Sequence, residues 1–161
     1  MSKRLIATLA GVLTIALIVA GCGSSSDSST DSTASLTKAE FVKQGNAICA
    51  AGNKQIETGI ESFAKQNHLS ESKPPTEAQA AEIAETVLVP SVSGQLEEIE
   101  ALGVPRGEED QVDAIFAAVE GAIEKAEEDP SVLLSEKGAS AFTKANQLSR
   151  EYGLTVCGEE N

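Results

Sequence analysis

Residues 108–129, EEDQVDAIFAAVEGAIEKAEED, decide how this chain folds because they carry its clearest amphipathic pattern. Acidic residues open the stretch, where negative charge suits the positive end of a helix dipole, and Pro130 follows its end. Apolar residues recur every three or four positions, which gathers them on one face of an α-helix. The pattern predicts a helix with one face to bury against other elements. The positions on that face are Val112, Ile115, Phe116, Val119, Ile123 and Ala126.

The rest of the chain predicts three more helices, and no segment has the pattern of a strand. Thr37 with Glu40, and Thr76 with Gln79, have the spacing of a capping box, in which side chains and backbone N–H groups bond reciprocally at a helix start. The first predicted helix runs from about 38 to 66, and the second begins after Thr76.

Proline and glycine mark the remaining boundaries. Pro90 lies inside the apolar period of the second helix, and because proline removes a hydrogen bond and clashes with the preceding turn, we expect a kink or break near Val89. Residues 132–134 fit a short turn, and a fourth helix fits 136–152. Gly153 then provides the left-handed residue that commonly follows a helix end.

Four helices joined by short breaks predict an all-α fold, an antiparallel bundle. The predicted helical domain covers residues 36–158, and residues 159–161 form an acidic tail. In the first helix, Gly45, Gly52 and Gly59 recur every seven residues. Either another helix comes close to that face, or the spacing is an accident.

The composition excludes several classes of function. The 161 residues include 12 Lys and Arg against 25 Asp and Glu, which gives a formal charge of -13. A chain with this charge and no basic stripe is repelled by phosphate backbones, so nucleic acid is not an expected partner. Aromatic residues make up only 3% of the chain, which argues against a large aromatic-lined ligand cleft.

The first residues have the features of an export signal. Lys3 and Arg4 precede an uncharged run over 5–20 that is too short to span a bilayer. The end of this run and the next two residues, Val19-Ala20-Gly21-Cys22, resemble the lipobox of bacterial lipoproteins, with Val19 where Leu is commoner. The resemblance implies that residues 1–21 are removed and that the Cys22 sulfur carries a diacylglycerol through a thioether. The alternative is an ordinary signal peptide with an incidental cysteine.

This resemblance also implies a location. Residues 22–35 are then the lipidated Cys22 and a Ser- and Thr-rich tether, whose composition favours disorder. Two acyl chains provide durable anchoring, so we expect the protein on the extracytoplasmic face of the cell membrane. The helical pattern, together with Ile48-Cys49, Tyr152-Gly153-Leu154 and Cys157-Gly158, resembles small actinobacterial lipoproteins whose biochemical role is uncharacterised.

With Cys22 assigned to lipid, Cys49 and Cys157 remain, and export places both in an oxidising compartment. In an up-down-up-down bundle the end of the fourth helix returns to the level of Cys49. We therefore expect a disulfide between them that closes the bundle. Two free buried thiols are the alternative, and the absence of a Cys-x-x-Cys spacing argues against a redox-active pair.

The sequence lacks the signatures of catalytic, cofactor and metal sites. Its single histidine, His68, lies in a polar break, and Ser91-Val92-Ser93-Gly94 does not fit a nucleophile elbow. No phosphate loop or dinucleotide signature is present, and one His without a spare Cys cannot form a zinc site. We predict no enzymatic activity, no cofactor and no metal site.

Two functions remain as hypotheses. The first is a non-catalytic module that uses an acid-rich surface to bind another envelope protein or a wall component. The second is a carrier of a small ligand or a cation, because the break at Pro90 can open a pocket between helices and hard cations prefer carboxylate oxygens. No D-x-D-x-D-G loop organises the twelve acidic residues between Glu97 and Asp129.

Overall fold

The fold is given by a computed structural model, which describes residues 35–133 and 138–159. The predicted leader over 1–21, the lipidation site Cys22 and nearly all of the predicted tether lie outside these residues. Leu134, the first positions of the predicted fourth helix and the last two residues of the predicted acidic tail also lie outside them.

Helix α1 spans Lys38–Gln66 and begins with the predicted capping box. The Glu40 N–H donates to Thr37 Oγ1 at 3.3 Å, and the Thr37 N–H donates to Glu40 Oε2 at 2.9 Å. The Thr37 hydroxyl also donates to Glu40 Oε2, at 2.7 Å, and the hydrogen bonds that the carboxylate accepts from the Thr37 hydroxyl and N–H lower the pKa of Glu40 from its ordinary value. The helix ends where the Leu69 N–H donates back to the Ala64 carbonyl at 2.9 Å. Both predicted ends of α1 are confirmed.

The second helix of the bundle consists of three consecutive segments. They are α2 over Glu77–Ile83, a π-helical segment over Ala84–Leu88, and α3 over Val89–Glu100. The predicted capping box of Thr76 and Gln79 is present at the start of α2.

The predicted irregularity near Val89 is a change of helix type, and no loop interrupts the helix. The Val89 N–H donates to the Ala84 carbonyl, five residues back. Pro90 has no N–H, and its ring would collide with the carbonyl of a regular preceding turn. The wider π turn ahead of Pro90 accommodates the ring while the helix continues.

The third and fourth helices follow the sequence prediction closely. Helix α4 spans Glu109–Glu128, and a 3₁₀ segment over Pro130–Leu133 occupies most of the predicted short turn. Helix α5 spans Gly138–Tyr152, and Gly153 has a φ of 113°, in the left-handed region that favours glycine.

The described helices form an all-α antiparallel bundle, as predicted, in which α1 packs on the π segment and α3, α3 packs on α4, and α4 packs on α5. We call the end that contains the start of α1, the loop 101–108 and the last turn of α5 the disulfide end. The opposite end, which contains the loop 67–76 and the 3₁₀ segment, is the loop end. Most large buried side chains lie toward the disulfide end, and they are Phe41, Cys49, Ile99, Val112, Ile115, Tyr152 and Leu154.

The three regularly spaced glycines of α1 lie where other parts of the chain approach it. A Cβ added at Gly45 would lie 2.6 Å from Leu154 Cδ2, and one added at Gly59 would lie 2.6 Å from Val87 Cγ1. At Gly52 an added Cβ would collide with the Gln95 side chain. At Gly52 and Gly59 the neighbour is the second helix of the bundle, which is the first of the two predicted alternatives, whereas at Gly45 it is the segment that follows α5.

No helix within residues 35–133 and 138–159 is both long enough and apolar enough to cross a lipid bilayer.

Candidate functional site

The structure shows where the chain that follows Cys22 joins the folded domain, although Cys22 itself lies outside the described residues. That chain enters at Thr37, the N-cap of α1, and therefore at the disulfide end of the bundle.

The predicted disulfide is present and lies in the first half of α1. Cys49 on α1 is bonded to Cys157, with a Cα–Cα distance of 5.1 Å and a sequence separation of 108 residues. Only 3% of Cys49 is exposed, whereas Cys157 is half-buried. The bond joins the fourth turn of α1 to the segment that follows α5.

This C-terminal segment, residues 153–158, also makes several noncovalent contacts with the helices. The Asn46 amide donates to the Gly153 carbonyl at 3.1 Å, and its oxygen accepts from the Val156 N–H at 2.9 Å. Leu154 is 1% exposed and packs over Gly45, and the Arg150 guanidinium donates to the Gly158 carbonyl. Cys157 is thus positioned by contacts on both sides of it.

A second group of side chains connects three helices at the same end. The Lys38 ammonium lies 2.9 Å from Glu108 Oε2 and 4.2 Å from the centroid of the Tyr152 ring. Phe41 meets Tyr152 edge to face, with ring centroids 6.1 Å apart. Burial, and to a smaller extent the Glu108 charge, raises the pKa of Tyr152. Among the described residues, the Tyr152 hydroxyl is a buried side-chain oxygen without a hydrogen-bond partner.

Five of the seven acidic residues of α4 form a line along one exposed side of the helix, interrupted between Asp113 and Glu120. We call this line the acid stripe; every member is exposed, and the helical repeat places all of them on one face. At 1.5 Å per residue the stripe is about 27 Å long. It extends from the disulfide end to the loop end. Its members are Glu109, Asp113, Glu120, Glu124 and Glu127.

The carboxylates of the acid stripe are exposed to solvent. Hydrogen bonds from the backbone N–H groups of Glu109 and Gly107 lower the pKa of the Glu109 carboxyl, and Arg106 contributes in the same direction. Within the described part of the chain, no three His, Cys, Asp or Glu side chains are grouped so that they could hold a metal ion. Glu108 does not join the stripe, because it pairs with Lys38.

Two other sequence features have structural explanations. His68 is exposed in the loop after α1 and has a φ of 53°, so it takes the left-handed position that glycine usually occupies after a helix. Pro90 is exposed at the junction of the π segment with α3. The structure thus relates the irregularity at Pro90 to helix geometry.

Sequence reasoning missed the contacts of Asn46, Lys38 and Gln95. Each is a polar residue in a helix, and a helical pattern assigns such residues to the solvent. The seven-residue glycine spacing was the available signal for Gln95, because a glycine face allows a neighbouring side chain to lie against the helix backbone. No local signal identifies Asn46 or Lys38, whose partners lie more than 65 residues away.

Comparison of the chain with protein-family models, with curated proteins and with solved structures returned no match.

Proposed function

We propose that this chain is a lipoprotein of the cell envelope, anchored through Cys22 to the extracytoplasmic face of the membrane, and that its helical domain is a non-catalytic binding module. The observation that supports the anchor is the order of features at the start of the chain: Lys3 and Arg4, the uncharged run, and then Val19-Ala20-Gly21-Cys22. A single acyl chain binds membranes only marginally, so the two chains of a diacylglycerol are the relevant anchor.

The geometry of the domain supports a binding role for the acid stripe. The chain from Cys22 enters at the disulfide end, and the stripe starts at this end and continues along the whole of α4. A protein anchored at Cys22 therefore presents the stripe along its side, where a partner outside the membrane can reach it. Anionic lipid headgroups repel the same carboxylates, which leaves the acyl chains as the attachment to the membrane.

The charge of the stripe defines the chemistry of the partner. Five exposed carboxylates along about 27 Å of helix attract a surface that presents basic groups at comparable spacing. An envelope protein with a basic face, or a wall component that carries amino groups, meets this requirement. The exposed position of the single histidine, His68, favours binding over catalysis.

Affinity capture from envelope extracts tests the binding role. The bait is the full chain, compared with a stripe variant that carries Asp113→Asn, Glu120→Gln, Glu124→Gln and Glu127→Gln. A matched control neutralises four exposed acids of α1, the following loop and the second helix, which are Glu57, Glu71, Glu82 and Glu85.

We expect one partner to be captured by the wild type and the control, to be lost with the stripe variant, and to be released by salt because exposed charges are screened. Identical partners for the stripe variant and the control would contradict the proposal, and so would the absence of any enriched partner.

Cell fractionation tests the anchor. Wild-type protein should sediment with membranes, whereas Cys22→Ser should lose membrane attachment through acyl chains because serine has no sulfur for the thioether. Equal release of both proteins by mild detergent-free washing would contradict anchoring at Cys22.

A further inference from the structure

The chain has three cysteines, and the structure shows which two belong together. Cys49 and Cys157 are bonded across 108 residues. Cys22, by contrast, lies only a quarter of that separation from Cys49 along the chain. Before folding, the frequency with which two residues meet falls as about the three-halves power of their separation, so Cys22 meets Cys49 about eight times as often as Cys157 does.

Formation of α1 does not remove this competition. Cys49 lies twelve residues beyond the N-cap Thr37, which is about 18 Å along the helix axis. The chain from Cys22 to Thr37 can extend to roughly 50 Å. A free thiol at Cys22 can therefore reach Cys49 in an unfolded chain and also after the first helix has formed.

The contacts that favour Cys157 arise only with the tertiary fold. Asn46 positions Gly153 and Val156, and Leu154 packs over Gly45, and together they hold Cys157 beside Cys49. All of these partners are separated by more than 100 residues. Early in folding, the native pair thus has neither the proximity along the chain nor the contacts that later position it.

We propose that acylation of Cys22 comes before the disulfide in the maturation of this protein and directs it, because the thioether removes the one thiol that would otherwise capture Cys49. This inference rests on the proposed lipid anchor and adds a second role to it.

The chemistry of the two steps is complete with two reactants from outside the chain. In the first, the Cys22 sulfur forms a bond to a glycerol carbon of a glycerophospholipid, the bond from that carbon to the phosphate oxygen breaks, and the thiol proton leaves with the phosphate headgroup. In the second, Cys49 and Cys157 lose two electrons and two protons to a protein disulfide of the extracytoplasmic space, which becomes a dithiol. After the first step, Cys49 has a single possible partner within the chain.

Disulfide mapping in bacteria with and without the diacylglyceryl transferase tests the proposal. The full chain and its Cys22→Ser variant are produced in both strains, free thiols are alkylated at harvest, and bonded peptides are identified by mass spectrometry without reduction. Cys22→Ser is the matched control because it removes both the lipid and the competing thiol.

We expect the Cys49–Cys157 bond alone in the transferase-containing strain. Without the transferase, the wild type should carry bonds to Cys22, with Cys22–Cys49 more abundant than Cys22–Cys157, while Cys22→Ser keeps the native bond. A wild-type chain that forms the native bond as completely as Cys22→Ser in the transferase-lacking strain would overturn the inference.

Oxidation of the reduced full chain in denaturant provides a second measurement that does not depend on folding or on the cell. The expected ratio of Cys22–Cys49 to Cys49–Cys157 is about eight to one, and a ratio of one or below would overturn the inference. Failure of the anchor itself is distinguishable, since it appears as an absence of lipid mass on wild-type protein from transferase-containing cells, whatever bonds the other samples contain.

Discussion

The disulfide end and the loop end of the bundle are built differently. At the disulfide end the large apolar side chains are buried, and Phe41 and Val112 are completely inaccessible. At the loop end several buried positions are alanines, among them Ala84, Ala122 and Ala126, whereas Ile60 on α1 is 38% exposed. The apolar area removed from water, and with it the hydrophobic stabilisation, is thus concentrated at the end where the chain from Cys22 enters.

Helix α1 shows this difference within one element. Its first half contributes Phe41 and Cys49 to the core, while Phe63 near its last turn is only half-buried. The covalent bond, the Asn46 hydrogen bonds and the Lys38 contacts all lie in the first half. The half of the domain at which the chain from Cys22 enters is therefore the more strongly held, and the loop end is the part most able to open locally.

Removal of the disulfide should have the largest effect on stability. Cys49→Ser with Cys157→Ser releases a loop of 108 residues, and chain entropy predicts a loss of about 4 to 5 kcal/mol in the free energy of unfolding. Urea unfolding of the variant, and of the wild type with and without reductant, measures this loss. An unchanged midpoint would show that the disulfide end does not depend on its covalent bond.

Truncation of one phenylalanine at each end of α1 compares the two regions directly. Phe41→Ala should cost about 3 to 5 kcal/mol because it leaves a cavity in the core. Phe63→Ala should cost at most half as much, since that side chain is already partly in water. Chemical denaturation of both variants, with the disulfide intact, provides the two values. Equal losses would contradict the difference between the ends.

Two glycine-to-alanine substitutions, one on the glycine face of α1 and one in α4, should have opposite effects on stability. Gly59→Ala should destabilise the protein by about 1 to 2 kcal/mol, because the new methyl group meets the stiff, β-branched Val87. Gly121→Ala should stabilise it by about 0.5 to 1 kcal/mol, because an added Cβ in α4 has no neighbour within 4 Å and alanine favours the helix. Thermal unfolding of both variants checks the signs, and a stabilising Gly59→Ala would disprove close packing at that position.

The raised pKa of Tyr152 predicts a smaller effect on stability, which appears only at alkaline pH. Its pKa in the folded protein is raised above the ordinary value of 10.0, so folding favours the protonated phenol. The resulting stabilisation is complete below pH 10.0 and is lost as the pH rises through the folded pKa. Because Tyr152 is the only tyrosine and the chain has no tryptophan, phenolate absorbance reports this group alone.

The matched variant for that titration is Tyr152→Phe. It removes the unpartnered hydroxyl and should leave stability at neutral pH unchanged or raise it by up to about 1 kcal/mol, while abolishing the alkaline dependence. If the Tyr152 phenol of the folded wild type titrated with a midpoint at or below pH 10.0, this result would contradict its burial at the disulfide end.

The sequence predicted the parts of the fold that depend on local chemistry. The capping boxes at Thr37 and Thr76 set two helix starts, Pro130 followed the end of α4, and Gly153 ended α5. The disulfide followed from the number of cysteines and from an antiparallel topology.

The features that the sequence did not predict depend on tertiary contacts between parts of the chain that are far apart in sequence. Proline predicted a break near Val89, but the continuous π segment requires the helix to stay packed on α1 and α4 on both sides of Pro90. Asn46 and Lys38 acquired their roles from residues far away in sequence. The acidic residues were counted from the sequence, but only the structure separates Glu108, which pairs with Lys38, from the exposed stripe along α4.

Intact-mass spectrometry of the protein from the membranes of its own cells tests the proposed lipid anchor at Cys22. We expect a chain that begins at Cys22, carries the mass of a diacylglycerol on that residue, and contains one disulfide. An unmodified amino terminus at position 22, or an uncut precursor in the cytosol, would contradict this expectation.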